Sequence, residues 1–217
     1  MKYQTVLFDL DGTLLDTKPG IIKSLKLTFR EMSLILPPDD KLDAFVGPPL
    51  TQSLTEVCGL DSETASEAAR LYRKYLLDRG YLFDCTIYSG IKELLESLRD
   101  AGLKLCVATS KTESFAEMML KHHGLYNYFS AVSGSPTGVP SANKAYSINR
   151  ALELMGNVEK KTAVIIGDRK FDAQGAQQVG ISSIGVLFGY GTREELSISG
   201  FDYIVETVDG LKALLLS

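Results

Sequence analysis

Short apolar runs that do not alternate with polar residues recur along this chain, with helical periodicity between them. That rhythm restricts the fold more than any other feature. Thr5-Val6-Leu7-Phe8 is the first run, residues 103–108 the second and Ala131-Val132-Ser133 a short third. Residues 162–166, residues 183–187 and Tyr203-Ile204-Val205 complete the series. A strand with one wet face alternates in polarity, whereas a strand covered on both faces does not. Covered strands separated by helices predict an α/β fold with a parallel, doubly wound sheet.

The helical stretches carry their own signals. Ile91, Leu94, Leu95 and Leu98 fall on one stripe, and Gly102 offers a C-terminal stop. A helix over 112–122 is expected to start on a Thr112 cap and to end at His122 and His123, where cationic side chains suit the last carbonyls. Thr192 and Glu195 have the spacing of a capping box. Between residues 18 and 83 the alternation stops. Helices are expected there over 21–32, 39–45, 50–57 and 61–79, punctuated by Pro37-Pro38 and Gly47-Pro48-Pro49. Residues 18–83 therefore read as an all-helical cap domain inserted after the first strand. Residues 1–17 and 84–217 read as the α/β core, with hinges near Asp16 and Thr17 and near residues 84–86.

The 217 residues suffice for one α/β domain and a smaller module. A net charge of −4 without a basic cluster argues against a nucleic-acid partner, because duplex affinity rests on clustered Lys and Arg. Lys160-Lys161 is an isolated pair. No apolar stretch approaches the roughly 18 residues that span a bilayer, and no secretory leader pattern opens the chain. Cys58, Cys85 and Cys106 are widely spaced, without a CxxC pair, which suits a reducing compartment. A cytoplasmic protein with neither nucleic-acid nor membrane partners is expected, with Cys106 packing as a small hydrophobe.

Three strand ends finish in polar residues of a particular kind: Asp9-Leu10-Asp11, Thr109-Ser110-Lys111 and Gly167-Asp168. The carboxyl ends of parallel strands line the crevice of an open sheet, so these groups are expected to meet. Lys144, at the start of a helix before the fourth run, can reach the same edge. Asp9, Asp11, Asp168 and Asp172 would put about four negative charges there, which repel unless a hard cation joins them. Few carboxylates around a phosphate is the pattern for Mg²⁺ rather than Ca²⁺. In that chemistry Asp9 attacks phosphorus and Asp11 serves as general acid and base. Thr109, Ser110 and Lys144 bind the phosphoryl oxygens, Lys111 being the other cation at this edge. Asp9, Asp11 and Asp168 are the metal residues, and Asp172 supports a metal-bound water or Lys144. Arg169 and Lys170, flanked by acids, read as charge balance.

Asp9-Leu10-Asp11-Gly12-Thr13, Thr109, Lys144 and the segment Gly167-Asp168-Arg169-Lys170-Phe171-Asp172 resemble, in order, the four motifs of the haloacid dehalogenase-like hydrolase superfamily. The resemblance spans nearly the whole chain. It implies a Rossmann-like core with a cap between the first and second motifs, and a main-chain carbonyl of Asp11, rather than its carboxylate, on Mg²⁺. Phosphoglycolate phosphatase-like and 5′-nucleotidase-like members are the nearest in character. Their cap substrate loop resembles Phe45-Val46-Gly47-Pro48-Pro49-Leu50, which singles out Gly47 and Pro48. Their C-terminal run resembles Gly185-Val186-Leu187-Phe188-Gly189-Tyr190-Gly191. The chain departs from many relatives in carrying Ala145, not Pro, after Lys144.

The expectation is a Mg²⁺-dependent phosphatase that acts on a small phosphorylated metabolite, of nucleoside monophosphate or phosphoglycolate type, through a phospho-aspartate. A sugar phosphomutase of the same superfamily shares every core motif and remains the alternative. A phosphotransfer receiver module would lack the cap-sized insertion, and a dehalogenase proper does not need Asp11.

Overall fold

The computed structural model describes residues 2–136, 143–156 and 158–217. The chain opens with β1 (Thr5–Phe8) and a two-residue strand, β2 (Leu15–Asp16). Helices α1 (Lys18–Glu31), α2 (Leu50–Cys58) and α3 (Ser62–Asp78) follow, with a 3-10 segment at Asp39–Phe45. After β3 (Thr86–Ile87) come α4 (Ile91–Asp100), β4 (Lys104–Thr112), α5 (Glu113–His122) and β5 (Ala131–Ser135). The remainder runs α6 (Lys144–Leu154), β6 (Ala163–Gly167), α7 (Lys170–Val179) and β7 (Ser182–Val186). It closes with α8 (Arg193–Ile198), β8 (Tyr203–Val205) and α9 (Val208–Leu216).

All six apolar runs are strands of one sheet in the order β5-β4-β1-β6-β7-β8, and every neighbouring pair is parallel. The chain builds outward on one side of β1, then crosses back to build the other side. The strand order therefore reverses at β1, between β4 and β6, and a crevice opens at the carboxyl end of such a reversal.

The unbroken apolar runs now have a physical cause. Val6 and Phe8, Leu105 and Val107, and Val164 and Ile166 face a core that includes Leu94 and Leu98 of α4, Leu120 of α5 and Leu211 of α9. Leu7, Cys106, Ala108 and Ile165 face the opposite side, against Ile148 and Leu152 of α6 and Ala176 of α7. Cys106 is fully buried there. Each strand thus loses both faces to helices.

Between β2 and β3, α1 packs on α3 through Ile21, Leu25 and Phe29 against Ala65, Ala69 and Leu76, the alanines allowing close approach. Asp61 caps α3, its carboxylate accepting from Thr64 N at 2.9 Å and Thr64 Oγ1 at 2.8 Å. Residues 39–45 form a 3-10 stretch rather than an α-helix. Pro37-Pro38 before it and Gly47-Pro48-Pro49 after it confine it to seven residues. The pairing of β2 with β3 (Leu15↔Ile87, Asp16↔Thr86) had no counterpart in the sequence pattern. It joins the two passages of chain that enter and leave the helical segment.

Two helix starts also differ in detail. Thr112 stands at the N-cap of α5 but makes no side-chain cap bond, and it is still paired with Ser135 as the end of β4. Thr192 does cap α8, accepting from Glu195 N at 3.1 Å, while the Glu195 carboxylate turns towards Arg169. No helix among the described residues is long and apolar enough to cross a membrane.

Candidate active site

Asp9 follows the last residue of β1 and keeps the sheet's pairing, its N–H donating to Ile166 O at 2.9 Å. Its carboxylate sits buried at the carboxyl edge. Asp9 Oδ1 accepts from Leu10 N at 2.8 Å and lies 2.8 Å from Lys144 Nζ. Lys144 is the first residue of α6, a helix capped by Asn143, whose side chain accepts from Tyr146 N at 3.0 Å. The same ammonium lies 2.7 Å from Asp172 Oδ1. Asp9, Asp168 and Asp172 each bring a carboxylate oxygen within 4.8 Å of the others.

Burial and crowding act on these charges together. Burial raises the Asp9 carboxyl, Lys144 pulls it back and Asp172 raises it again, leaving it pushed up to about 6. Burial, then the charges of Asp172 and Asp9, hold Asp168 well above the usual carboxylate range. Lys144 is lowered by burial but raised more by its two carboxylates, so it stays protonated. One ammonium thus pairs with two of three clustered, buried carboxyl groups. An all-oxygen donor set with surplus negative charge fits a hard divalent cation.

Asp11, expected in the same crevice, directs its carboxylate to a different partner. Its Oδ2 lies 2.9 Å from Lys111 Nζ, and its buried Oδ1 has no hydrogen-bond partner among the described residues. The turn at Gly12 accounts for the separation. Leu14 N and Leu15 N both donate to Leu10 O at 3.0 Å, folding the chain back on itself. Gly12 has φ +83°, and a Cβ there would lie 2.1 Å from Asp168 Oδ2, so glycine alone fits. Asp168 is fixed by Tyr190 N, which donates to its Oδ2 at 2.8 Å, and by the Thr13 hydroxyl at 3.4 Å from its Oδ1.

The end of β4 completes this edge. Its register with β5 shifts between Ala108 and Thr112, which frees Thr109, Ser110 and Lys111 from regular pairing. Thr109 is buried, and its hydroxyl accepts from Lys111 N at 3.3 Å. Ser110 lies between two clefts. One, of about 550 Å³, is lined by Asp11, Lys111, Gly47, Pro48, Tyr72 and Phe115 among others. The other, of about 450 Å³, is lined by Lys144, Gln52, Phe171 and Gln174 among others. Core and helical segment therefore meet over the strand ends.

Two residues that sequence reasoning set aside are tied into this edge. The Tyr190 hydroxyl accepts from Thr17 N at 2.7 Å and Lys18 N at 3.0 Å and donates to Asp16 Oδ1 at 2.8 Å. It supplies the N-terminal cap that Thr17 does not provide for α1. The glycines flanking Tyr190 were the available signal. Arg169, read as charge balance, does pair with Glu195, but it also donates to backbone carbonyls of the helical segment. Nothing in the sequence marks those acceptors.

The family described as haloacid dehalogenase-like hydrolase matches residues 6–186. The chain is 36% identical to a 5′-nucleotidase of Pseudomonas aeruginosa, over 90% of this chain and 88% of that one. It is 34% identical to the tyrosine-protein kinase PtkA of Mycobacterium tuberculosis, over 98% of this chain and 72% of the other. The crystal structure of a predicted phosphatase from Clostridium acetobutylicum is similar at a TM-score of 0.94 and 41% identity, covering 100% of this chain and 99% of that one.

Proposed function

Because the chain belongs to the haloacid dehalogenase-like hydrolase family and is a phosphatase of that family, we propose that it hydrolyses small phosphomonoesters through a phospho-aspartate on Asp9, with Mg²⁺ as cofactor. The observation that carries this reading is the separate seating of two carboxylates two residues apart. Asp9 is paired with Lys144 beside Asp168 and Asp172, and Asp11 is paired with Lys111 in the cleft. Separate partners for neighbouring acids support different roles.

Both donors to Asp9 engage Oδ1, which leaves Oδ2 as the attacking oxygen. As the Oδ2–phosphorus bond forms, the bond from phosphorus to the leaving oxygen breaks, and Asp11 as general acid passes a proton to that oxygen. In the second step Asp11 takes a proton from water as the water oxygen attacks the aspartyl phosphate, releasing inorganic phosphate and restoring Asp9. Thr109, Ser110 and Lys144 meet the phosphoryl oxygens, and Asp172 holds Lys144 in place. Asp9, Asp168 and the main-chain carbonyl of Asp11 would hold Mg²⁺, which supplies the charge neutralisation that lets a phosphate dianion approach a carboxylate.

In this reading residues 18–83 are a cap that opens about the β2–β3 ribbon, and Gly47 and Pro48 close over the leaving group. Tyr72 and Phe115 offer aromatic faces, and Arg73 a guanidinium without a carboxylate partner among the described residues. This lining supports nucleoside monophosphates or phosphoglycolate-type substrates. Cys58, Cys85 and Cys106 are free thiols, which supports a cytoplasmic setting.

The test is release of inorganic phosphate from p-nitrophenyl phosphate by the purified chain, followed by a panel of nucleoside monophosphates, phosphoglycolate and sugar phosphates. Activity is expected to require Mg²⁺ and to vanish in Asp9→Asn. Full activity in that variant or in excess chelator overturns the mechanism. Hexose phosphate interconversion with a bisphosphate activator would establish the mutase instead, and phosphate recovered on a protein hydroxyl would replace hydrolysis with transfer.

A further inference from the structure

We propose that Arg169 is a latch, fastening the 43–49 stretch of the helical segment to the β6–α7 junction that carries Asp168 and Asp172, and so setting the position of the cleft wall. Its consequence for turnover rests on the function proposed above; its geometry does not. The guanidinium divides its donors between two bodies. Arg169 Nε donates to Glu195 Oε1 at 2.9 Å, within the core. Arg169 Nη1 donates to Val46 O at 2.6 Å and approaches Asp43 O at 3.3 Å, across the cleft.

The backbone of the same residue is tied to the catalytic edge. Arg169 N donates to Asp172 Oδ2 at 3.1 Å, and Asp172 Oδ1 is 2.7 Å from Lys144 Nζ. One residue therefore spans from the carbonyl of Val46 to the ammonium beside Asp9. Glu195 serves as the brace. Its Oε1 also accepts from Lys170 N at 2.9 Å, and its own N–H is capped by Thr192. With Nε fixed on that carboxylate, the planar guanidinium presents Nη1 in a defined direction.

The loop is shaped to lie against this side chain. Gly47 has φ +101°, and a Cβ there would come within 3.0 Å of Arg169 Cγ. The loop thus rests on the arginine stem while its carbonyls take the head group. Gly47, Pro48 and Pro49 line the cleft that contains Asp11, so the depth to which the latch draws the loop limits the room for a leaving group. A salt bridge serving the core alone would need only the Glu195 contact. The latch needs the fork, which lysine lacks.

Backbone hydrogen exchange on the full chain without substrate tests the geometry. Val46 N–H donates to Asp43 O, a carbonyl the latch also holds. In Arg169→Met the amides of residues 44–47 are expected to exchange roughly 10- to 100-fold faster, the range for one hydrogen bond to a charged group. Amides of α3 should keep their rates. Arg169→Lys should resemble Arg169→Met. Glu195→Gln, which leaves the guanidinium in place without its charged brace, should fall between and serves if Arg169→Met does not fold. Unchanged exchange at 44–47, or full protection in Arg169→Lys, overturns the latch. For turnover, the ratio of kcat/KM for p-nitrophenyl phosphate to that for the smaller acetyl phosphate should rise in Arg169→Met, because the released loop no longer limits the room for the larger leaving group. An equal loss on both substrates overturns the link to the cleft wall. A wild-type chain that hydrolyses neither refutes the proposed function while the exchange rates still decide the latch.

Discussion

Replacing Lys144 with Met removes the ammonium that stands between Asp9 and Asp172 while keeping a side chain of similar length and volume. Lys144 Nζ lies 2.8 Å from one carboxylate and 2.7 Å from the other, and its side chain is 3% exposed. Breaking a buried ion pair from one side costs about 3–5 kcal/mol, because the remaining charge stays out of water. At roughly 2–4 °C per kcal/mol for a chain of this size, the metal-free variant should melt about 6–20 °C below the wild type at neutral pH. The sign of the pH dependence follows from the acids left behind. Asp9 is pushed up to about 6 even with Lys144 opposing that shift, and removal of the ammonium drives it higher. A group whose folded pKa exceeds its unfolded value contributes stability below the unfolded pKa and loses it as pH rises through the folded one. The deficit of the variant should therefore be small near pH 5 and large near pH 8. Thermal unfolding followed by circular dichroism in chelator, at both pH values, measures it. Equal deficits at the two pH values, or a variant as stable as wild type at pH 8, would refute the electrostatic account.

Tyr190→Phe strips the acceptor from Thr17 N and Lys18 N and the donor from Asp16. It should lower stability by about 1–2 kcal/mol in urea unfolding; an unchanged midpoint would mean that those groups find other partners. Asp61→Ala should lower the Tm through loss of the cap on α3. Thr64 holds the Asp61 carboxyl below its usual value, so that stability is present at neutral pH and disappears as pH falls through the carboxylate range. A deficit that persists in acid would point to a cause other than the cap.

What the sequence disclosed depended on how local each signal was. β1, β4 and β6 were legible because burial on both faces forces unbroken apolar runs. β2 and β3 are two residues each and carry no pattern, so the ribbon emerged only in three dimensions. At the candidate site, the acids at strand ends were legible because the sheet places consecutive residues at one edge. Lys144 reaches that edge although Ala145 follows it, since Asn143 supplies the helix start. The Arg169 contacts were hidden for a physical reason. Their acceptors are main-chain carbonyls 123 and 126 positions away, and a backbone carbonyl leaves no trace in residue type. The Asp11–Lys111 pair was likewise invisible, although both residues stand at strand ends, because it depends on the turn at Gly12.

That turn explains how one short string can host two opposed roles. Had β1 continued, Asp9 and Asp11 would share a face, two residues apart, and would repel each other at the same edge. Instead the chain doubles back at Leu10, and Gly12 packs against Asp168 where no Cβ fits. Asp168 thereby fixes the direction of Asp11, while Lys144 and Lys111 neutralise the two carboxylates separately. Asp11, not Asp9, lines the cleft with Tyr72, Arg73 and Gly47 from the helical segment. On the proposed assignment the leaving oxygen must lie beside Asp11 to receive its proton. The organic part of the substrate then points into the helical segment while the phosphoryl group stays with the core. Substitutions in the lining at Tyr72 or Arg73 should accordingly change which ester is cleaved, and substitutions around Asp9 whether any is.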